Sequence, residues 1–262
     1  MRFMLGSLDQ FSEADRVDAA ETPELERWVL HRLAQLDEVV QTGYAKFDFQ
    51  GVFQALFTFA TTDLSAFYFD IRKDVLYCDG VTPERRAART VLDILFHRLT
   101  SWLAPVLVFT MEEVWLGRFP GEGNSIHLND FPETPVAWRN DELAEKWATI
   151  RATRRVVTGA LEVERREKTI GASLGAAPTV YVDQATADIL QTVNFADLCI
   201  TSGIAVSTDA APEGAFSLEG ESAIQVVFDK AEGDKCQRCW KILPEVGTGV
   251  KPDLCNRCAD AI

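Results

Sequence analysis

The chain closes on KCQRCWKILPEVGTGVKPDLCNRCADAI, and the four cysteines in that stretch constrain its folding more than any other feature. Cys236 and Cys239 form one Cys-x-x-Cys pair and Cys255 and Cys258 a second, with fifteen residues between the pairs. Two intervening residues let both thiolates of a pair point at one centre. A loop carrying Pro244, Gly247, Gly249 and Pro252 can reverse the chain to bring the second pair opposite. The spacing predicts a single tetrahedral Zn2+ per chain, with rubredoxin-like iron as the chemical alternative and disulfides as the plainer one. Four thiolates leave no open coordination position, so the site reads as structural and not catalytic. Trp240, Ile242, Leu243, Val246 and Leu254 are the main apolar material of the tail, too little to hold it together without the ion.

A chain of 262 residues with 47% hydrophobic content buries a real core and has room for two or three units. The start, MRFMLGSLDQFSEAD, holds no long apolar stretch or cleavage-like site, and no other run reaches membrane-spanning length; a cytoplasmic protein is expected. Cys78 and Cys199 stand apart from the pairs in apolar surroundings, as buried and unreactive thiols do. A net charge of -14, evenly spread, would argue against nucleic acid, but it is uneven. Residues 1–150 carry 24 acids against 14 bases, and residues 175–229 carry 8 acids and no Lys or Arg. Residues 151–174 have 6 bases against 3 acids, and residues 230–262 have 6 against 5. A phosphate backbone would have to be met by those last two segments.

The hydrophobic pattern predicts a mainly α chain. In ETPELERWVLHRLAQLDEVV, Thr22 reads as an N-cap with Pro23 in the first helical position, and Leu25, Val29, Leu33, Leu36 and Val40 form a stripe. DFQGVFQALFTFATTDLSAFYFDIRKDVLYC is apolar over most of its circumference and reads as the central helix of a bundle, covered on several sides. Thr82 and Pro83 open another helix, with Leu92, Leu95, Phe96, Leu99 and Leu103 inward, which Pro105 kinks or ends. FTMEEVW resumes the helical pattern before a Gly/Pro-rich surface connection. A long helix, capped by Asn140, is expected from about Asp141 to near Lys168. At 100° per residue it gathers Arg151, Arg154, Arg155, Arg165 and Arg166 into an arc of about 120°, with Val156, Ala160 and Val163 opposite. That face suits either phosphate contact or simple solvation. Beyond it, TVYVD and IQVVF read as strands, ADLCITSGIAVS as one or two more, and QATADILQTV as a short helix. The division expected is a helical domain over 1–172, a small α+β domain over 173–232 and the zinc-knuckle tail over 233–262. The three histidines share no spacing, and there is no glycine-rich phosphate loop, no Gly-x-Ser-x-Gly and no zinc-protease helix.

Several strings together resemble the C-terminal part of a bacterial-type isoleucyl-tRNA synthetase: RFMLGSL, DLSAFYFDIRKDVLYC, LAPVLVFTMEEVW, VVTGALEVERREKTIGASLGA and the cysteine pairs with RCW between them. LAPVLVFTMEEVW is loosely shared with the valyl, leucyl and methionyl enzymes; LSAFYFDIRKDVLY followed by the four-cysteine tail points to isoleucine. The sequence departs from the family at Gly175, where an acidic residue is usual, and at Val108, where proline is common. The resemblance implies an anticodon-binding helical bundle, a junction domain and a zinc tail that contacts the anticodon end of tRNA. It also implies that the family's nucleotide-binding and editing parts lie upstream of these residues, so no catalytic residue is expected, and that the chain works as a monomer with a catalytic half. Arg238, Lys241 and Arg257 lie beside the cysteines and either offset the -2 charge of a Zn(Cys)4 centre against a phosphate or serve only to support the ligands. Trp240 either stacks on an unpaired base or packs over the knuckle. Competing functional readings are a stand-alone zinc-dependent protein-interaction module, which the acidic charge suits, and an iron-sulfur-type electron carrier.

Overall fold

The stripe of Leu25, Val29, Leu33, Leu36 and Val40 is buried along α2 (Glu24–Ala45), as its spacing requires, in a computed structural model that describes residues 1–262. The chain forms two compact units, Met1–Tyr77 with Val81–Leu143, and Cys78–Gly80 with Ala144–Ile262.

The first unit is helical. Around α2 stand α1 (Arg2–Ser7), α3 (Phe49–Thr58), a π-helix (Phe59–Tyr68), α4 (Phe69–Cys78), α5 (Pro83–Leu103) and α6 (Val108–Arg118). Trp102, Tyr68, Phe59, Phe96, Leu33, Leu92 and Leu95 are among its fully buried side chains. Gly43 lets α2 and α3 approach closely, since a Cβ there would lie 2.4 Å from Cγ2 of Val52. Thr82 caps α5, its hydroxyl accepting from the Arg85 amide at 3.2 Å, and Pro83 takes the first turn. Thr22 does not repeat this. A short 3-10 turn (Ala19–Glu21) precedes it, and its hydroxyl donates back to the Ala19 carbonyl at 2.8 Å, so α2 starts without a side-chain cap. Pro105 ends α5 as expected, and α6 begins at Val108, the first helical position that proline also suits.

The apolar run over residues 49–78 is not enclosed on several sides. Val52, Leu56, Phe59, Leu64, Phe67, Tyr68 and Ile71 are buried, while Gln54, Phe57, Thr58, Thr61, Thr62, Ser65 and Ala66 are exposed. Its middle is a ten-residue π-helix, whose wider turn a 3.6-residue projection does not follow.

The second unit holds most of α7 (Asp141–Arg166), whose N-terminus is capped by Asn140 Oδ1 accepting from the Leu143 amide at 2.9 Å. A three-stranded sheet has the order β2 (Ala205–Ser207), β1 (Thr179–Tyr181), β3 (Gln225–Val227); β1 runs parallel to β2 and antiparallel to β3. The parallel pair needs a crossover, which α8 (Gln184–Gln191) and α9 (Phe195–Cys199) supply. The first third of ADLCITSGIAVS is therefore helix: Asn194 Oδ1 accepts from the Asp197 amide at 3.2 Å, and Ile200 turns the chain out at φ 58°. Gly159 of α7 admits the ring of Phe216, which lies 3.1 Å from where a Cβ would stand. Cys199 is buried, which pushes its thiol pKa up.

Two buried carboxylates tie the helices of the first unit. Glu26 of α2 is fully buried; it takes two hydrogen bonds from Arg72, at 2.6 and 2.5 Å, and one from the Tyr68 hydroxyl at 3.0 Å. Asp93 of α5 pairs with Arg16 at 2.5 Å and with Arg118, and has His97 Nε2 at 3.6 Å. Burial raises the Asp93 pKa, but the nearby His97 ring and hydrogen bonds from Arg118 and Arg16 outweigh it and hold the carboxyl far below its usual range. A carboxylate depressed in the folded state contributes stability that is present above its unfolded pKa of about 4 and is lost as pH falls below that value. Urea unfolding of the first unit is expected to weaken from pH 4 downward, and Asp93→Asn is expected to flatten that loss while lowering stability at pH 7 by about 3 kcal/mol. Unfolding curves from pH 7 to pH 2.5 for both proteins check this.

Candidate metal centre and basic surface

The tail is short on core but tightly hydrogen-bonded. Strand β4 (Asp234–Lys235) pairs antiparallel with β5 (Ile242–Leu243), and the turn between them carries the first knuckle, closed by the Cys236 amide donating to the Lys241 carbonyl at 2.9 Å. Gly233 precedes it at φ 111°, where a Cβ would sit 2.4 Å from the Leu243 carbonyl carbon; only glycine lets the two strands close. The second knuckle starts at Cys255, the N-cap of α10 (Asn256–Asp260), so Cys258 follows one turn later. The Gln237 amide donates to the Asp253 carbonyl at 2.9 Å and links the knuckles.

All four thiols are buried, and their sulfurs lie within 4.8 Å of one another. Sγ of Cys239 and Sγ of Cys255 are 3.7 Å apart. Zn–S bonds of about 2.3 Å in a tetrahedron require an edge of about 3.8 Å, and a disulfide requires about 2.05 Å, so the donor set fits an ion and not a bridge. Burial raises the Cys236 pKa, but amides of Cys255, Cys239 and Arg238 directed at its sulfur prevail and bring it down to about 6. Cys239 is pushed up to about 11, chiefly by burial. Val246, Leu243 and Leu254 pack on the cluster, and so does Cys78, whose Sγ lies 3.8 Å from the Arg238 carbonyl.

The bases beside the ligands are largely engaged. Lys241 pairs with Asp197, and Arg257 approaches Asp79 at 3.5 Å. Arg238 is half-buried. Trp240 does not pack over the knuckle: it stands at φ 67°, 60% exposed, with Lys235 Nζ 5.2 Å from its ring centroid.

The five arginines of α7 do not make one free face. Arg154 Nε donates to the Leu198 carbonyl at 2.6 Å, and Arg155 pairs with Glu221 at 2.5 Å. Arg151 is half-buried, while Arg155, Arg165 and Arg166 are exposed. Arg165 pairs with Glu162 at 3.0 Å. With Lys168, Arg165 and Arg166 line a shallow cleft of about 320 Å³ at the end of the helix. The helix dipole itself favours cations there. Helical projection could not have found the partners of Arg154 and Arg155, because they come from segments 44 and 66 residues away.

Elemental analysis is expected to find one zinc per chain, and a strong chelator is expected to unfold the tail while leaving the far-ultraviolet helical signal nearly intact. Cys239→Ser should have the same effect. Because the Cys239 thiol must give up a proton to bind, zinc affinity should fall steeply as pH drops from 8 to 6, measurable by competition with a chromophoric chelator. Stoichiometric iron, or affinity independent of pH, would contradict the assignment.

Residues 233–261 match the zinc finger found in FPG and IleRS, which decides for zinc over iron. Residues 26–180 match the anticodon-binding domain of tRNA ligase. The whole chain aligns with isoleucine--tRNA ligases, at 64% identity with that of Ruegeria pomeroyi, 53% with that of Brucella abortus and 46% with that of Zymomonas mobilis. In each case it spans 27% of the relative's length. A helical unit matched over more than half of the residues, joined to a closed four-thiolate zinc site, means that the chain belongs to the anticodon-binding domain family of the tRNA ligases.

Proposed function

We propose that the chain holds the anticodon stem-loop of an isoleucine-accepting tRNA, so that the distant acceptor end reaches the catalytic part of an isoleucine--tRNA ligase. The anticodon-binding match over residues 26–180, within a chain that aligns throughout with such ligases, carries this reading. Residues 1–172 act as the anticodon-binding helical domain, 173–232 as the junction and 233–262 as the zinc tail. Arg165 and Arg166, with Lys168 beside them, meet phosphates, and Arg155 joins them by exchanging Glu221 for a phosphate oxygen. Trp240 offers a face for an unpaired base, which its exposure and the cation beside it support. Arg151, Arg154, Arg238, Lys241 and Arg257 support that surface through their contacts within the fold. The chain contributes orientation and no chemistry of its own; isoleucine activation belongs to the rest of a ligase, and the setting is a cytoplasmic, monomeric one.

Two substitutions separate the two kinds of contact. Arg166→Gln is expected to lower affinity for isoleucine tRNA and to reduce the slope of log K against log salt by about one unit or less. Trp240→Ala is expected to weaken binding on the order of tenfold with the slope unchanged, because stacking releases no counterion. Filter binding across a salt series reads both. Binding insensitive to salt would point instead to a protein-interaction module, and a positive isoleucine-dependent pyrophosphate exchange would overturn the non-catalytic assignment.

A further inference from the structure

Trp240 occupies a backbone position that suits glycine. Its amide donates to the Cys236 carbonyl at 3.0 Å, which closes the first knuckle and leaves the residue at φ 67°, in the left-handed region. An L side chain is strained there, and this one gains little by burial, since 60% of it stays exposed. Folding alone favours glycine at this point. A large ring held out from the surface on a strained backbone marks a residue that serves contact and not packing.

Lys235 bears on that ring. It ends β4, directly before the first cysteine, and pairs with Ile242 of β5, so the two ends of the knuckle are fixed against each other. Its Nζ stands 5.2 Å from the Trp240 ring centroid. The other two lysines of the tail turn to the protein instead: Lys241 pairs with Asp197, and Lys251 Nζ donates to the Ala259 carbonyl at 3.1 Å.

An ammonium over one face of an indole has two effects. Its attraction to the ring quadrupole holds the side chain in one orientation, so less freedom is lost when a base stacks on it. It also covers that face. Only the opposite face is then open, so one base can stack but the ring cannot be sandwiched between two. We propose that Lys235 is a positioning residue for Trp240, holding the indole as a platform for a single unpaired base and making no phosphate contact of its own. This rests on the stacking role given to Trp240 above and assigns the residue that prepares it.

The test is a double-mutant cycle of Lys235→Met and Trp240→Gly, read by filter binding of isoleucine tRNA across a salt series, with bound zinc measured in each variant. Methionine keeps an apolar stem without the charge, and glycine removes the ring at a φ that it tolerates. Lys235→Met is expected to weaken binding about two- to fivefold, with the salt slope and the zinc content unchanged. In the Trp240→Gly background the same change should have no effect, and Lys235→Arg should bind as the parent chain does. In the free protein labelled with fluorotryptophan, the fluorine resonance of Trp240, identified by its loss in Trp240→Gly, is expected to move in Lys235→Met and to return in Lys235→Arg. A slope lower by about one unit in both backgrounds makes Lys235 a phosphate contact. An equal loss of affinity in both backgrounds, or a loss of zinc, makes it a support of the tail. Unchanged binding in Lys235→Met, or an unmoved resonance, makes the contact idle. Each of these overturns the proposal while leaving the stacking role in place, provided that Trp240→Gly binds more weakly than the parent chain. If Trp240→Gly binds as well as the parent, the stacking role falls and the proposal falls with it.

Discussion

A charge taken out of water must be met by an opposite charge, a fixed dipole or a metal ion, and this chain is organised around that requirement. In the helical unit Glu26 and Asp93 fix which helices can be neighbours, since Glu26 is satisfied only by Arg72 and Tyr68 and Asp93 only by Arg16 and Arg118, all from other segments. In the second unit the same requirement draws Arg154 to the Leu198 carbonyl and Lys241 to Asp197. In the tail it is met by zinc, because four clustered thiolates cannot coexist without a cation between them. Apolar burial supplies most of the stability, and these pairings select one arrangement among those that burial alone would allow.

This has a consequence for function. On the proposed reading an acidic chain must meet RNA with few bases, and several of them are held by its own carboxylates and carbonyls. Three of the exposed bases, Arg165, Arg166 and Lys168, share one cleft at the end of α7, and Trp240 presents an exposed ring. The acidic residues 175–229 discourage a phosphate backbone from lying elsewhere on that unit. In the function proposed above, recognition relies on this small basic surface and a stacking face, with the surrounding negative charge contributing selectivity of position more than affinity.

The zinc site was legible because its information is local: two residues between cysteines and a reversing loop determine where four sulfurs can go. The buried stripe of α2, the cap at Thr82 and the break at Pro105 were legible for the same reason. Thr22 was misread because a 3-10 turn upstream competes for its hydroxyl, and ADLC because Asn194 caps a helix where β-branched and apolar residues suggested strand. The run over residues 49–78 was misread because hydrophobic content does not say which side is covered, and a π-helix shifts the period.

The sequence by itself determined the mainly α class and the four cysteines of one candidate metal site, since these rest on periodicity and on residue types at short, fixed spacing. Only the tertiary structure decided which arginines are held within the fold and that Trp240 faces solvent. Those properties depend on what segments distant in sequence place beside a side chain, such as Glu221 beside Arg155 or the Leu198 carbonyl beside Arg154. Periodicity along one helix carries no information about its neighbours.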